Sequence, residues 1–231
     1  MISVLTENTS FEAILWDVDG TLIDTTALIV GALDATLKQF TGRSLPTAQL
    51  RALIGIPLDQ QMRIFGDPAQ FGTTAKQMAE GLIRHYERRR EHERPVAEAI
   101  DALIYWKRQG IKTALVTSKS DEELANTLPR LGVSVYCDAI ISADQVAPYY
   151  KPHPKPVLLA LEKLQVVDPA SAIFIGDSIY DIQSGKAAGT RTAAVLWGAA
   201  TEATLREQQP DFLIANPEDL LDKLSSIRAA A

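Results

Sequence analysis

Ala13-Ile14-Leu15-Trp16-Asp17-Val18-Asp19-Gly20-Thr21 is the stretch on which the reading of this chain turns. Its first four residues form an unbroken apolar run, as in a buried strand. Two carboxylates, one residue apart, follow at the strand's C-terminal end. In an open α/β sheet, ligands bind at that end of the strands. Alternation along an extended chain sends Asp17 and Asp19 to one side and Val18 to the other. Two carboxylates crowded on one side repel unless a cation or a shared proton lies between them. The stretch therefore points to a divalent metal beside a carboxylate that can act as a nucleophile.

Outward from this strand, apolar and helical segments alternate, which predicts a mostly parallel, Rossmann-like α/β sheet with helices on both faces. Strands are expected over 13–17, 112–117, 139–142, 172–176, 192–197 and 212–214. Helices are expected over 97–109, 122–131, 154–164, 179–188 and 217–228. Asp177 or Ser178 can cap one of these, and Asn216-Pro217 opens another.

Nearly a hundred residues separate the first two strands, too many for a single crossover. From 24 to about 94 the pattern reads as helices only. Ile29, Leu33, Leu37 and Phe40 recur at helical spacing, as do Ala75, Met78, Ala79, Leu82, Ile83 and Tyr86. Thr41-Gly42 and Gly66-Asp67-Pro68 punctuate the stretch. The charged run from Arg84 to Arg94 reads as a solvated helix face, with Arg84–Glu87, Arg88–Glu91 and Arg90–Glu93 at i, i+3. The expected organisation is one α/β unit from 1–23 and 96–231, interrupted by a helical unit over 24–95 with hinges near 24–26 and 93–96.

Composition narrows the function. The chain has 231 residues and a formal charge of −6, from 23 basic and 29 acidic side chains. A general nucleic-acid binder needs a basic surface, so nucleic acid is not expected as a partner. Cys137 is the single cysteine, so no internal disulfide can form, and it reads as a small packing residue. No apolar run approaches the ~18 residues of a membrane span, so no membrane partner is expected. Residues 1–10 read as a short, loosely held tail without a signal pattern, and a cytoplasmic location is expected.

Four segments carry a resemblance to a known family. Asp17-Val18-Asp19-Gly20-Thr21 resembles the first motif of the haloacid dehalogenase superfamily of phosphatases. Thr113-Ala114-Leu115-Val116-Thr117-Ser118-Lys119 is similar to its second motif, Lys151-Pro152-His153-Pro154 to its third, and Gly176-Asp177-Ser178-Ile179-Tyr180-Asp181 to its fourth. The helical insert resembles the family's small cap.

The resemblance implies a mechanism. Asp17 would attack phosphorus to give an aspartyl-phosphate, splitting one hard displacement into two easier ones. Asp19 would protonate the leaving oxygen and then deprotonate the attacking water. Mg²⁺ would be held by a side-chain oxygen of Asp17, the backbone carbonyl of Asp19 and the Asp177 carboxylate. Asp181, one helical turn after Asp177, would bind through water or orient the site. The Thr117 hydroxyl and backbone N–H groups around Gly20 and Ser118 would donate to the phosphoryl oxygens. Lys151 would supply fixed positive charge, with Lys155 its rival by sequence.

Among relatives of this kind, dehalogenases do not need a second acid at the position of Asp19. A phosphonate hydrolase needs a cap lysine, and none occurs between Lys38 and Lys76. Mutases typically carry Glu-Asp where this chain has Gly176-Asp177-Ser178. The Gly55-Ile56-Pro57-Leu58 turn resembles the substrate-specificity loop of phosphoglycolate-phosphatase-like members, which adds Gly55 to the expected substrate contacts. The expected partner is a small phosphorylated metabolite, phosphoglycolate first, then pyrophosphate or a sugar phosphate, the last met by a phosphatase or a phosphoglucomutase. The protein is expected as a monomer or homodimer. A non-catalytic phosphate-binding module on this fold would be expected to lose Asp17 or Asp19, and both are present.

Overall fold

The computed structural model describes residues 11–56 and 58–229, so the expected N-terminal tail and Pro57 lie outside the described residues. In chain order the elements are β1 (Ala13–Trp16), β2 (Ile23–Asp24), α1 (Thr26–Thr41), α2 (Thr47–Arg51), α3 (Leu58–Ile64), α4 (Ala75–Glu87), β3 (Arg94–Pro95), α5 (Ala97–Arg108) and β4 (Lys112–Val116). There follow α6 (Asp121–Leu131), β5 (Ala139–Ile141), α7 (Ala143–Val146), α8 (Lys155–Leu164), β6 (Ala172–Gly176), α9 (Ile179–Ala188), β7 (Arg191–Val195), α10 (Glu202–Glu207), β8 (Phe212–Ile214) and α11 (Leu220–Ala229).

The main sheet has six strands in the order β5-β4-β1-β6-β7-β8, all paired in parallel. The α/β expectation is met, with β1 at the centre. The four residues of β1 are all buried because both faces of the strand are covered. Ile14 and Trp16 join a cluster with Leu103 and Trp106 of α5 and Leu224 of α11. Ala13 and Leu15 join a second cluster with Val157 and Leu161 of α8. An alternating strand between two helical layers thus requires an unbroken apolar run. Trp16 lies opposite both Leu115 of β4 and Ile175 of β6, so the three central strands end level. The Asp17 N–H still donates to Ile175 O at 2.9 Å and that of Thr117 to Ile141 O at 3.0 Å, which fixes both residues at the sheet rim.

The helical segment builds its own core. Leu33 and Leu37 of α1, Met62 of α3, and Met78 and Leu82 of α4 are buried together. Each such side chain contributes about 1.5–3 kcal/mol relative to full exposure. The Thr74–Gln77 capping box starts α4, satisfying N–H groups that its first turn leaves unpaired.

Helices only over 24–94 needs one correction. Ile23 pairs with Pro95 and Asp24 with Arg94 in a two-stranded antiparallel ribbon, and Val96 N–H donates to Leu22 O at 2.9 Å. Strands of two residues are too short to leave a period in the sequence. The ribbon joins the two ends of the helical segment where hinges are expected. The charged run differs in part, because α4 ends at Glu87 and only a 3₁₀ turn over Arg90–His92 follows. Arg90 pairs with Glu87 at 2.8 Å and, as expected, with Glu93 at 3.9 Å, and Arg130 pairs with Glu93 at 2.6 Å. The expected Arg84–Glu87 and Arg88–Glu91 pairs do not form among the described residues. At the C-terminus, a 3₁₀ turn over Pro217–Asp219 precedes α11. No helix among the described residues is long and apolar enough to cross a membrane.

Candidate active site

Loops leaving the level ends of β1, β4 and β6 converge on one cavity of about 70 Å³. Asp17, Asp19, Thr117, Ser118, Lys151 and Asp177 all line it, as does Gly55 from the helical segment. Val18, between the two carboxylates, turns into the core and is fully buried.

Asp17 is 5 % exposed and Asp177 and Asp181 are each 1 % exposed. One ligand oxygen from each of these three lies within 4.8 Å of the others. The Lys151 ammonium bridges two of them, at 2.7 Å from Asp17 Oδ1 and 2.6 Å from Asp181 Oδ1. Burial pushes the Asp17 carboxyl well above its usual value. The Lys151 ammonium pulls it down, and Asp181 and Asp177 push it up again. Burial with the Asp181 charge pushes Asp177 up to about 7, against the Ala199 N–H that holds it down. Burial alone would lower the Lys151 ammonium, but Asp17 and Asp181 together raise it above the ordinary lysine value. Three anionic groups with one ammonium leave a surplus of buried negative charge, and hard oxygen donors of this kind suit a divalent cation.

Local sequence explains how each acid is held. Ser178 caps α9 through a reciprocal capping box with Asp181, whose Oδ2 accepts from Ser178 N at 3.0 Å and Oγ at 2.6 Å. With Oδ1 on Lys151 and Oδ2 on Ser178, both Asp181 oxygens are engaged. Asp177 Oδ2 accepts from Ala199 N at 2.6 Å. Two glycines make room for that carboxylate. A Cβ on Gly20 or on Gly198 would collide with Asp177 Oδ2.

Gly20 therefore has a packing part in the structure besides the expected one as a phosphate donor. Its N–H is already committed to Ile23 O at 2.8 Å, and its φ of 79° belongs to glycine. The Ser118 Oγ donates to Gly55 O at 2.8 Å, which leaves its backbone N–H, the expected donor, uninvolved in that bond. Gly55 sits against the fourth motif, where an added Cβ would meet Ser178 Oγ at 2.9 Å. The carboxylate of Asp19 stands apart from the three-acid cluster. Its Oδ1 accepts from Thr25 Oγ1 at 2.9 Å and its Oδ2 pairs with Lys119 at 3.0 Å. Lys155 is exposed on α8 and lies over the Tyr149 ring, so Lys151 is the lysine that reaches Asp17.

Two residues in the wall carry no sequence expectation. Lys119 is 6 % exposed. Burial would depress its ammonium, but Asp19, Glu123 and Glu93 hold it above the usual value. Its place in Thr117-Ser118-Lys119, directly after a strand, is the signal that could have found it. Gln61 of α3 is buried beside the cavity. Nothing in its local sequence marks it, because its position depends on how α3 packs.

The model of haloacid dehalogenase-like hydrolases matches residues 14–195. A pyrophosphatase PpaX of Bacillus pumilus is 32 % identical over 217 residues, spanning 92 % of this chain and 95 % of the relative. A hydrolase of known structure from Pseudomonas syringae superposes with a TM-score of 0.82 at 22 % identity, over 94 % of this chain and 99 % of that one. A predicted phosphoglycolate phosphatase from Haemophilus somnus superposes at 0.79 and 22 % identity, over 92 % and 97 % of the two chains. At these identities the two structures speak for the fold alone.

Proposed function

This chain belongs to the haloacid dehalogenase-like hydrolase family, and on that premise we propose that it is a Mg²⁺-dependent phosphatase of small phosphomonoesters with Asp17 as nucleophile. The observation that carries this reading is the Lys151 ammonium at 2.7 Å from Asp17, within a buried cluster that also contains Asp177 and Asp181.

Asp17 and Asp177 would hold the cation, with the Asp19 backbone carbonyl as a further oxygen. The donor set fits Mg²⁺, all hard oxygens beside a surplus of negative charge. When bound, the cation supplies positive charge next to the nucleophile and the transferred group. An Asp17 oxygen attacks phosphorus, the phosphorus–oxygen bond to the alcohol breaks, and Asp19 gives that leaving oxygen a proton. Asp19 then takes a proton from a water that attacks the aspartyl-phosphate, freeing phosphate and restoring Asp17. Lys151 restrains Asp17 and offsets charge on the phosphoryl oxygens. Asp181 positions Lys151 through Oδ1, while Ser178 holds its Oδ2. Thr117 donates its hydroxyl to a phosphoryl oxygen.

Residues 24–95 act as a cap over the rim formed by 1–23 and 96–231, with the β2–β3 ribbon between them. Gly55 brings the cap into the cavity, where about five water-sized sites at roughly 10–15 Å³ each would fill the space. Such a cavity suits a small metabolite. The pyrophosphatase relative makes pyrophosphate a substrate to weigh, and the Gly55–Leu58 turn adds phosphoglycolate, with a sugar phosphate beside them. The test is hydrolysis of p-nitrophenyl phosphate by the purified protein with Mg²⁺ and after chelation. Turnover that needs Mg²⁺ is expected; absence of turnover with Mg²⁺ would contradict a phosphatase.

A further inference from the structure

We propose that Lys119 is a positioning residue that aims the Asp19 carboxylate at the leaving group, and that Tyr86 of the cap seats its ammonium. This rests on the phosphatase reading above and adds to it the device that holds the proton-transfer group.

Asp19 is open to the cavity and gripped at both oxygens. It lines the cavity, and its side chain is 18 % exposed. Thr25, just before α1, donates from Oγ1 to Oδ1 at 2.9 Å. The Lys119 ammonium, from the loop after β4, stands 3.0 Å from Oδ2. With one partner on each oxygen, from two separate segments, the carboxylate cannot turn without losing one of them. An oriented group within reach of the leaving oxygen is what proton transfer requires.

Lys119 serves no other carboxylate at this range. Among the described residues, Asp19 is its one ion-pair partner. Glu123 and Glu93 lie near but are committed elsewhere. Glu123 Oε2 accepts from Ser120 N at 2.8 Å and Oγ at 2.9 Å. Glu93 accepts from the Tyr86 hydroxyl at 2.6 Å and pairs with Arg130 at 2.6 Å. Lys119 is 6 % exposed, and a single ion pair offsets the desolvation of a buried ammonium poorly. An apolar side chain of similar length would serve stability as well, so stability does not account for the pair.

The cap completes the arrangement. Tyr86 lies in the last turn of α4, and its ring centroid is 5.3 Å from the Lys119 ammonium, within range of a cation–π contact. The Tyr86 hydroxyl is anchored on Glu93, which Arg130 of α6 holds from the α/β unit. Lys151 thus fixes the attacking carboxylate, and Lys119 fixes the one that moves protons.

Two phosphates of similar shape separate aiming from folding. p-Nitrophenolate departs without a proton, whereas phenolate needs one from Asp19 as its bond to phosphorus breaks. The kcat/KM reports the steps through loss of that group. With Mg²⁺, Lys119→Met is expected to lower kcat/KM for phenyl phosphate by ~10²-fold and for p-nitrophenyl phosphate by less than ~10-fold. Asp19 also activates the water that attacks the aspartyl-phosphate. With p-nitrophenyl phosphate, kcat and KM should therefore fall together, and the fraction of enzyme acid-quenched as phosphoenzyme should rise above wild type. Tyr86→Leu should shift the ratio of the two kcat/KM values the same way, by ~3-fold or more. Equal losses for the two phosphates in Lys119→Met, wild-type kinetics, or a phosphoenzyme fraction no higher than wild type would overturn the role of Lys119 and leave the phosphatase standing. An unchanged ratio in Tyr86→Leu would overturn the part of Tyr86. It would overturn the whole proposal if circular dichroism shows that Lys119→Met does not fold. No turnover of either phosphate by the wild type would overturn the phosphatase reading itself and this inference with it.

Discussion

Lys151 and Asp17 are separated by 134 positions, yet the lysine ammonium lies 2.7 Å from the Asp17 carboxylate. The contact closes a triangle, because the same ammonium reaches Asp181 at 2.6 Å. A buried ammonium shared by two carboxylates is held in place from both sides, so the carboxylate proposed as nucleophile is oriented before substrate arrives. It also limits repulsion between an anionic nucleophile and an anionic ester.

Lys151→Ala should lower kcat by ~10²–10³, the scale for loss of one fixed donor at a charge-developing centre. Lys155→Ala should leave turnover within about twofold, as surface substitutions away from a site do. Steady-state kinetics of both variants, with circular dichroism to establish folding, separates the two lysines. A large loss in Lys155→Ala with normal turnover in Lys151→Ala would reverse the assignment.

Gly20 and Gly198 make distinguishable predictions. Gly20→Ala places a Cβ both at φ 79° and against Asp177 Oδ2, and should cost about 1–3 kcal/mol of stability as well as Mg²⁺ affinity. Gly198→Ala meets the same oxygen without a positive φ, so crowding of Asp177 is its expected defect. Denaturant unfolding and Mg²⁺ titration calorimetry read the two effects separately. Wild-type Mg²⁺ affinity in both variants would show that neither glycine makes room for a metal-binding carboxylate.

The central sheet was legible because its chemistry is local: an apolar run, a strand-end acid and a capping serine each announce themselves. The strands fall where expected, with ends shifted by a residue or two, since ladder bonds such as Leu196 N–H to Ile214 O continue past the regular strand. The cluster of Asp17, Lys151, Asp177 and Asp181 was readable for a related reason, as Asp17 and Asp177 follow strand ends directly, Asp181 lies in the first turn of the helix after Asp177, and Lys151 lies in the proline-flanked loop before α8. The β2–β3 ribbon was not, since two residues carry no period. The room that Gly20 leaves for Asp177 was not legible, because a sequence shows that a glycine is needed but not which neighbour needs the space. Gln61 and the Lys119–Asp19 pair depend on packing between segments far apart in the chain, and no local pattern encodes them.

Protons and Mg²⁺ should compete at Asp177. In the folded, metal-free protein, burial and the Asp181 charge push its carboxyl up to about 7, from 3.8 for the unconstrained group. Between those values the native state binds a proton that the unfolded chain does not. The contribution of this group to stability is therefore full below about pH 4 and is lost as pH rises towards 7. A cation needs the ionised carboxylate, so the rise in Tm caused by Mg²⁺ should grow from about pH 5 to about pH 8. Thermal unfolding with and without Mg²⁺ across that range checks the sign. A Mg²⁺ effect that shrinks with rising pH would contradict it.

Arg51 ties the helical segment to the loop that holds Asp177. Its Nε donates to Ala199 O at 3.0 Å and its Nη2 to Gly198 O at 2.9 Å. Arg51→Ala should cost about 1.5–3 kcal/mol, as hydrogen bonds to a charged group do, and raise KM by loosening the cap over the rim. Denaturant midpoints and KM for p-nitrophenyl phosphate measure the two. Unchanged values for both would mean that these bonds do not hold the segment in place.

Covalent chemistry at Asp17 is the claim from which the other roles follow. The direct measurement is acid quench of the enzyme during turnover, followed by proteolysis and mass spectrometry of the peptide containing Asp17. The account predicts one added phosphoryl group on that peptide in the wild type, lost on treatment with hydroxylamine, and none in Asp17→Asn, which should be inactive. A phosphoryl group on another residue, or normal turnover by Asp17→Asn, would contradict it.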